Sequence, residues 1–201
     1  MSDAKIKICG LTRPEDIETA NELLPDYIGF VFWERSKRNV TKEQARDLKN
    51  RLDGRIKAVG VFVDADIDFI ADLVHCGIID VAQLHGSEDE DYISELRERL
   101  DGAEIIKAFN INKIENFDEA EKSSADYIMI DSGKGSGIAF DWSKLEDLKR
   151  PYFLAGGLSV DNISEVLTNV KPFAVDVSSG VETDGRKDAA KMKQFVESVR
   201  F

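Results

Sequence analysis

The chain alternates short apolar runs with segments whose apolar residues recur at helical spacing, and this alternation constrains the fold more than any other feature. Eight apolar runs have the length of β-strands, and several are nearly continuous Val, Ile, Leu and Phe, as expected for strands covered on both faces. Strands that alternate with helices indicate a parallel sheet built from strand–helix units. The predicted strands are 6–9, 27–32, 56–63, 79–84, 105–109, 127–131, 152–155 and 173–177.

Amphipathic helices are predicted between these strands, because apolar residues three and four positions apart can present one stripe to a sheet. A fifth helix is expected from about 112 to 122, and a short sixth helix near 141–149. Ser or Thr followed three residues later by Glu or Gln has the spacing of a capping box, which marks a helix start. The predicted boxes pair Thr12 with Glu15, Thr41 with Gln44, and Ser87 with Glu90.

Eight strand–helix units in 201 residues fit a (β/α)8 barrel near the lower limit of its usual length. A doubly wound open sheet is the alternative. The barrel is favoured because closure removes both sheet edges, and because eight parallel strands leave no room for a second domain. We therefore predict an α/β fold in which residues 1–201 form one domain, a TIM barrel with compact loops. Its site should lie where the strands end, near the longer segments 33–40 and 132–140, the second of which contains Gly133, Gly135 and Gly137.

The charge balance limits the class of partner. The formal net charge of −12 argues against nucleic-acid binding, which needs a basic surface to neutralise phosphates. No apolar run approaches the roughly 18 to 20 residues of a membrane-spanning helix, and no secretory signal is recognised, so we expect a cytoplasmic protein without membrane association. The two cysteines, Cys9 and Cys76, lack metal-type spacing, which predicts free thiols in a reducing compartment and no metal site.

Glycine and serine follow the last two predicted strands. Gly156 and Gly157 come after strand seven, and Ser178, Ser179 and Gly180 come after strand eight. In barrels these two loops frequently bind phosphate, because small residues expose backbone N–H groups to the anion and hydroxyls add donors. The alternative is that the glycines only permit tight turns. Paired turns on adjacent strands favour the phosphate site, and with it a phosphorylated small-molecule substrate.

A thiol and a carboxylate end two other predicted strands on the same face of the fold. Cys9 ends the first strand next to Gly10, where N–H dipoles or cations would give it thiolate character; read alone, it is more often a small buried hydrophobe. Asp131 ends the sixth strand, where loss of water can raise its pKa and suit it to general-acid work. Its alternative role is to bond the backbone of the following turn.

Three more side chains are candidates for substrate contact. Asp176, near the end of strand eight, could orient a substrate donor or pair structurally inside the barrel. His85 ends strand four and could equally contact substrate or be structural. Arg38 belongs to a cluster of three cations at 35–38, which could bind a carboxylate bidentately or simply form a solvated loop.

Together these motifs resemble the phosphoribosylanthranilate isomerase family of tryptophan biosynthesis, and the resemblance spans essentially the whole chain. Each motif is modest alone, but their joint order is highly specific. The motifs are KICGLT at 7–12, QLHG at 83–86, DS at 131–132, GSG at 135–137, FDW at 140–142, AGGL at 155–158 and VDVSSGVE at 175–182.

The resemblance implies a (β/α)8 barrel that isomerises N-(5-phosphoribosyl)anthranilate to the carboxyphenylamino-deoxyribulose phosphate by an Amadori rearrangement without a cofactor. It implies that Cys9 is the general base and Asp131 the general acid. Arg38 and His85 would lie around the anthranilate or the reacting sugar, Asp176 near the anilino nitrogen, and the two final loops around the phosphate. The sequence leaves monomer and homodimer open.

Two other functions stay open at this point. One is a different phosphosugar isomerase, such as the related enzyme of the histidine pathway, which resembles a two-aspartate site; Cys9 in place of a carboxylate counts against it. The other is a catalytically silent barrel that binds phosphate.

Overall fold

The predicted strands close into a barrel. The structure is a computed structural model that describes residues 3–113, 117–133, 145 and 148–201. Each of eight strands pairs in parallel with the next along the chain, and the eighth pairs with the first, Lys5 with Ala174 and Ile8 with Val177. This closing pair confirms the single-domain (β/α)8 barrel and excludes the doubly wound open sheet.

Seven helices in the described part of the chain accompany the strands. The barrel strands, β1 to β8, are Lys5–Cys9, Tyr27–Val31, Lys57–Phe62, Val81–Leu84, Glu104–Asn110, Tyr127–Asp131, Tyr152–Ala155 and Ala174–Val177. The helices, α1 to α7, are Pro14–Leu23, Lys42–Lys49, Ile67–His75, Glu90–Arg99, Asp118–Lys122, Ile163–Asn169 and Ala189–Arg200. Between β8 and α7 lie a 3-10 turn at Ser179–Val181 and a short hairpin, β9 at Glu182–Thr183 and β10 at Arg186–Lys187.

The predicted strand bounds agree with the structure to within two residues, and those of β6 and β7 match it fully. The largest difference is the start of β4, which lies at Val81 rather than at residue 79. The N–H groups of Ile78 and Ile79 donate to the carbonyl of Leu73, at 3.0 and 3.4 Å. These two apolar residues therefore close the end of α3 instead of joining the sheet, a difference that an apolar run cannot show.

Helix starts agree less well than strands. Thr41 and Gln44 form the predicted capping box of α2. The box predicted for Thr12 and Glu15 is wrong, because the N-cap of α1 is Arg13. The acid that accepts from the N-cap N–H is Asp16. The Asp16 carboxylate accepts from the N–H groups of Thr12 and Arg13, both at 3.0 Å. A carboxylate one residue further on has taken the acceptor role predicted for Glu15.

At α4 an acid replaces the predicted hydroxyl as the N-cap. Asp89 is the N-cap and accepts from the N–H of Tyr92 at 2.9 Å, so the predicted box of Ser87 with Glu90 is wrong. The Ser87 hydroxyl instead donates to Asp64, at 2.9 Å. The fifth helix, predicted from about 112 to 122, spans Asp118–Lys122; residues 112, 113 and 117, which the structure also describes, lie outside it.

Two apolar clusters divide the core. One lies between the sheet and the helices, and the other fills the interior of the barrel. Because side chains two residues apart on a strand face the same side, the interior cluster follows every second residue. Its members include Tyr27, Val59, Val81, Ile106, Met129, Phe153 and Ala174. The carboxyl end of this interior, called the mouth below, collects the side chains that end the strands.

Some predicted features lie outside the described residues. These are Gly135 and Gly137 of the loop after β6, the motifs at 135–137 and 140–142, and most of the sixth helix near 141–149. In the part of the chain that the structure describes, no helix combines the length and the apolar character needed to cross a membrane.

Candidate active site

The strand ends bring four of the predicted site residues to the mouth. Cys9 ends β1, Asp131 ends β6, Asp176 lies on β8, and His85 directly follows β4. His85 Nε2 lies 3.0 Å from Asp131 Oδ2, although 46 residues separate them in the chain. Cys9 and Asp176 are buried, whereas His85 and Asp131 are partly open to solvent. The predicted thiol and acid therefore share one cavity mouth with the two predicted contact residues.

A buried lysine lies among these groups, and the sequence analysis missed it. Lys7 is 0% exposed, and its Nζ lies 3.0 Å from Asp176 Oδ1. Burial lowers the pKa of Lys7. The charges of Asp176 and Cys9 and their hydrogen bonds to Lys7 raise this pKa by more, so the net shift is upward. Lys7 is thus a fixed cation inside the barrel. Strand alternation could have found it, because Lys7 and Cys9 are two residues apart on β1 and must face the same side.

The Cys9 thiol lies between opposing electrostatic effects. Burial raises its pKa, and the cations Lys7 and Lys187 lower it only in part, so the net shift is upward. Gly29 on the neighbouring strand leaves room for the sulfur, since a Cβ there would lie 2.7 Å from Cys9 Sγ. The sequence showed no cationic neighbour for this thiol, and the structure supplies two.

The predicted upward shift of the Asp131 pKa is wrong for the free protein. Burial does raise it, but the hydrogen bond from His85, the N–H of Gly133 and the charge of Lys7 lower it more, so the net pKa lies below its ordinary value. The Gly133 N–H lies 2.8 Å from Asp131 Oδ1. Asp131 therefore also bonds the backbone of the following turn, which was its alternative role.

Of the three cations at 35–38, only Arg38 turns toward the mouth. Arg35 and Lys37 are exposed. Arg38 is held by a bidentate ion pair with Glu182, its Nε and Nη2 donating at 2.6 and 2.7 Å. The buried Lys187 donates to the same carboxylate at 2.5 Å. Burial raises the pKa of Glu182, but Arg38 and Lys187 lower it more, so a carboxylate is fixed between two cations.

The loops after β7 and β8 lie against each other, as the phosphate-site prediction requires. Gly156 and Gly157 have φ of +93° and +65°, a region that favours glycine. A Cβ on Gly180 would overlap the carbonyl of Leu158, so the two loops pack backbone to backbone. Ser179 begins the 3-10 turn and is exposed.

Ser178 connects this loop pair to β1. Its hydroxyl donates to the carbonyl of Cys9 at 3.0 Å, and its own carbonyl accepts from Lys187 Nζ at 3.0 Å. In the free protein the Ser178 hydroxyl is therefore engaged with the backbone beside the thiol, rather than standing as an open donor as predicted. A Cβ on Gly156 would meet Asp131 Oδ1 at 2.6 Å, which puts the other side of the loop pair beside the acid.

A second buried ion pair, also missed from the sequence, holds the turn that carries His85. Lys107 Nζ donates to Glu88 Oε2 at 2.7 Å and to the carbonyl of Gly86 at 2.9 Å. The Gly86 N–H donates to the same Glu88 oxygen at 2.8 Å. A lysine inside an apolar strand was the available signal, since Lys107 interrupts the run that forms β5.

Comparison with known sequences gives one consistent family. A family model described as N-(5'phosphoribosyl)anthranilate (PRA) isomerase matches residues 6–198. A protein of Thermoanaerobacter sp. (strain X514) named N-(5'-phosphoribosyl)anthranilate isomerase is 44% identical over 203 aligned residues, which cover 98% of each chain. A protein of Streptococcus mutans with the same name is 43% identical over 199 residues, again 98% of each chain.

Solved structures agree with this comparison. A crystal structure of phosphoribosyl anthranilate isomerase in complex with reduced 1-(o-carboxyphenylamino)-1-deoxyribulose 5-phosphate is 34% identical, with a TM-score of 0.84 and 98% of both chains covered. A structure of monomers generated from the dimeric phosphoribosylanthranilate isomerase of Thermotoga maritima is 33% identical, with a TM-score of 0.82 and the same coverage. The similarity therefore extends over the whole barrel and not only over its motifs.

Proposed function

The chain belongs to the N-(5'-phosphoribosyl)anthranilate isomerase family, and from this premise we propose how its mouth carries out the family's reaction. The reaction converts N-(5'-phosphoribosyl)anthranilate to 1-(2-carboxyphenylamino)-1-deoxyribulose 5-phosphate in tryptophan biosynthesis. It is an Amadori rearrangement, an interconversion of an aldose and a ketose. Acid–base groups supply the chemistry, and the proposal assigns no cofactor and no metal.

Asp131 is the general acid in this proposal. It protonates the furanose ring oxygen, the bond from that oxygen to C1' breaks, and the ring opens to a Schiff base. The carboxyl must then be protonated when substrate is bound. Its side chain is 21% exposed in the free protein, so a substrate that covers it removes the remaining water, which raises its pKa toward that of a working acid.

Cys9 is the general base. Its thiolate takes the proton from C2', and the electron pair of that C–H bond neutralises the Schiff base to give an enolamine. Tautomerisation of the enolamine then yields the ketone. Lys7 and Lys187 are the cations that offset part of the cost of burying the thiolate.

The anchor lies between the acid and the base. In the closed barrel, β7 and β8 separate β6 from β1, so a phosphate bound by their loops sits on the arc between Asp131 and Cys9. The phosphate-binding residues of the proposal are Gly156, Gly157, Ser178, Ser179 and Gly180. A substrate fixed there extends across the mouth with the acid on one side and the base on the other, which converts binding energy into orientation.

The remaining contacts concern the anthranilate half of the substrate. Arg38 binds the anthranilate carboxylate through its guanidinium, which Glu182 already holds in place. Asp176 accepts from the anilino nitrogen, and His85 lies beside the reacting sugar. Arg38 lies in the loop after β2, and Asp176 lies on β8. Both strands neighbour β1, which carries Cys9.

The observation that carries the proposal is the position of Lys7 among the thiol and the two carboxylates. Lys7 is buried, bonds Asp176 directly, and acts electrostatically on Cys9 and Asp131. A chain that only bound phosphate would have no use for a charge this costly to bury. In an isomerase, Lys7 supplies a positive charge near both the general base Cys9 and the general acid Asp131.

Turnover of purified protein, followed by loss of the anthranilate-adduct fluorescence, tests the proposal. Cys9→Ser should lower kcat by about 10²- to 10⁴-fold, the contribution of one acid–base group. Cys76→Ser is the matched control, because Cys76 is an exposed thiol at the end of α3, and it should keep parental turnover. A folded Cys9→Ser variant with parental rates would contradict the role of Cys9, and stabilisation of the parent by phosphate without turnover would indicate a silent barrel.

The proposal also covers the oligomeric state of the protein and its location in the cell. The related protein of Thermotoga maritima is described as dimeric, and for this chain monomer and homodimer are both compatible with the proposal; light scattering decides between them. Both cysteines are free, which fits the proposed cytoplasmic location, since thiols persist in reducing compartments.

A further inference from the structure

The side-chain amide of Gln83 is buried next to His85. It lies on β4, two residues before His85, and is 1% exposed. Its Nε2 lies 2.9 Å from His85 Nδ1 and 3.4 Å from Met129 Sδ. Its Oε1 is the one buried side-chain nitrogen or oxygen atom without a hydrogen-bond partner among the described residues. A buried carbonyl left unpaired is costly, so this arrangement calls for a reason.

Met129 fixes which way the amide faces. A thioether sulfur accepts hydrogen bonds but has no hydrogen to donate. The NH₂ side of the Gln83 amide must therefore face Met129, since the opposite orientation would place two acceptors against each other. The NH₂ group then directs its other hydrogen at His85 Nδ1, at 2.9 Å.

This orientation determines which nitrogen of His85 carries the proton. Nδ1 must be an acceptor to receive the amide N–H, so in the neutral ring the proton lies on Nε2. Nε2 is the atom that lies 3.0 Å from Asp131 Oδ2. An imidazolium would set an Nδ1–H against the amide NH₂. The carboxylates of Asp131 on β6 and Asp176 on β8 also act electrostatically on the ring.

We propose that Gln83 is a positioning residue that holds His85 as the neutral Nε2–H tautomer, with that hydrogen directed at the general acid Asp131. The unpaired Oε1 is the consequence of an amide orientation that Met129 and His85 impose together. His85 then stabilises the Asp131 carboxylate that forms after each proton transfer to substrate, and no net proton moves between them. The inference deepens the proposed function and rests on it for the role of Asp131.

Nitrogen NMR of protein labelled at histidine reads the tautomer directly. The chain contains two histidines, His75 and His85, and a His75→Asn variant assigns the signals. The parent should show His85 with an unprotonated Nδ1 and a protonated Nε2. Gln83→Glu offers an acceptor to Nδ1–H and should yield a ring protonated at Nδ1, while Gln83→Met, which cannot donate, should yield a mixture of tautomers. Gln194→Glu makes the same chemical change on the exposed face of α7 and should leave the signals unchanged.

Kinetics test whether the tautomer matters for turnover. Both Gln83 variants should lower kcat by about 10- to 100-fold, as the loss of a partner that orients a functional histidine does elsewhere, with a smaller change in KM. In Gln83→Glu the acid limb of the kcat–pH profile should also move to higher pH, because the introduced carboxylate stabilises the doubly protonated ring of His85. Gln194→Glu should keep the parental profile.

Two results would overturn the inference. One is a parental His85 signal with the proton on Nδ1, and the other is an unchanged tautomer in both folded Gln83 variants. The NMR readout does not need turnover, so failure of the proposed isomerase activity and failure of the tautomer assignment are distinguishable. A role of Gln83 in packing alone would lower stability without moving the tautomer or the pH profile.

Discussion

The two ends of the barrel interior are built by the same strands and have opposite chemistry. At the amino end, the rings of Tyr27, Tyr127, Phe153 and Phe173 pack with centroids 4.8 to 5.6 Å apart; these four residues are called the aromatic plug below. At the carboxyl end, the mouth holds charged groups and a thiol, including the fully buried Lys7.

A single strand shows how short the distance between the two ends is. Along β6 the residues that alternate to the interior are Tyr127, Met129 and Asp131. Successive interior positions are about 7 Å apart, so an aromatic ring, a thioether and a carboxylate follow one another within the length of one short strand. The plug buries apolar area and stabilises the fold, whereas the mouth buries charge, which costs stability and supplies reactivity.

Replacing the buried ion pair of the mouth with apolar side chains should separate stability from reactivity most completely. Lys7→Met alone leaves Asp176 buried without its cation and should lower the free energy of unfolding by about 3–5 kcal/mol. Adding Asp176→Leu should restore parental stability or exceed it by about 1–4 kcal/mol. Turnover of the double variant should nonetheless fall below detection, because the cation beside Cys9 and the contact to substrate are both gone.

Urea unfolding and the fluorescence assay on the same samples measure both quantities. A double variant clearly less stable than the parent would show that the ion pair itself stabilises the fold, and the contrast in stability between mouth and plug would then be smaller.

Asp131→Asn should change activity without changing the plug. The amide cannot protonate the ring oxygen, so kcat should fall by about 10²- to 10⁴-fold, while the aromatic plug lies at the other end of the barrel. The measurement is kcat under saturating substrate, with circular dichroism to confirm folding. An Asp131→Asn variant that retains more than a tenth of parental kcat would remove Asp131 from the role of general acid.

The difference between plug and mouth also explains what the sequence could predict. The barrel follows from eight apolar runs and their alternation, because burial depends on patterns that each strand carries by itself. The same alternation places Cys9 and Asp131 at strand ends. What it could not supply is the pairing between residues far apart in the chain: His85 with Asp131, Arg38 with Glu182, and Lys7 with Asp176.

The incorrect expectation for Asp131 has the same origin. The position at the end of an apolar strand correctly indicated loss of water, which raises the pKa. The net shift depends on two donors, His85 after β4 at 3.0 Å and the Gly133 N–H of the following turn at 2.8 Å. The barrel brings the first beside Asp131, and the second is local to the turn. The two misplaced capping boxes have a local origin, since Asp16 took the role predicted for Glu15 and Asp89 took the role predicted for Ser87.

Phe153→Ala should affect stability and leave the chemistry intact. Phe153 is 0% exposed and touches three other rings of the plug, so its truncation should lower the free energy of unfolding by about 3–5 kcal/mol. At a temperature where the variant remains folded, kcat should stay within severalfold of the parent. Phe201→Ala is the matched control, because Phe201 is 89% exposed and its truncation should change stability by no more than about 0.5 kcal/mol.

A loss of kcat in Phe153→Ala as large as that in Asp131→Asn, measured on folded protein, would contradict the separation of the two ends. It would mean that the plug sets the geometry of the mouth through the strands.

Acid should affect the mouth before the plug, and this is the smallest effect expected. The plug tyrosine Tyr27 has its pKa raised by burial and stays protonated throughout the acid range, whereas Asp131 has its pKa lowered in the folded protein, because the hydrogen bonds of His85 and Gly133 outweigh burial. A carboxyl with a lowered folded pKa contributes stability that is fully present above its unfolded value, about 3.9, and is lost as the pH falls through the folded value. Unfolding free energies of the parent should therefore fall more steeply between about pH 4 and pH 2 than those of Asp131→Asn, which has no proton to gain there. Equal slopes for the two proteins in urea titrations across this range would show that the contacts of His85 and Gly133 do not hold the carboxylate in its ionised form.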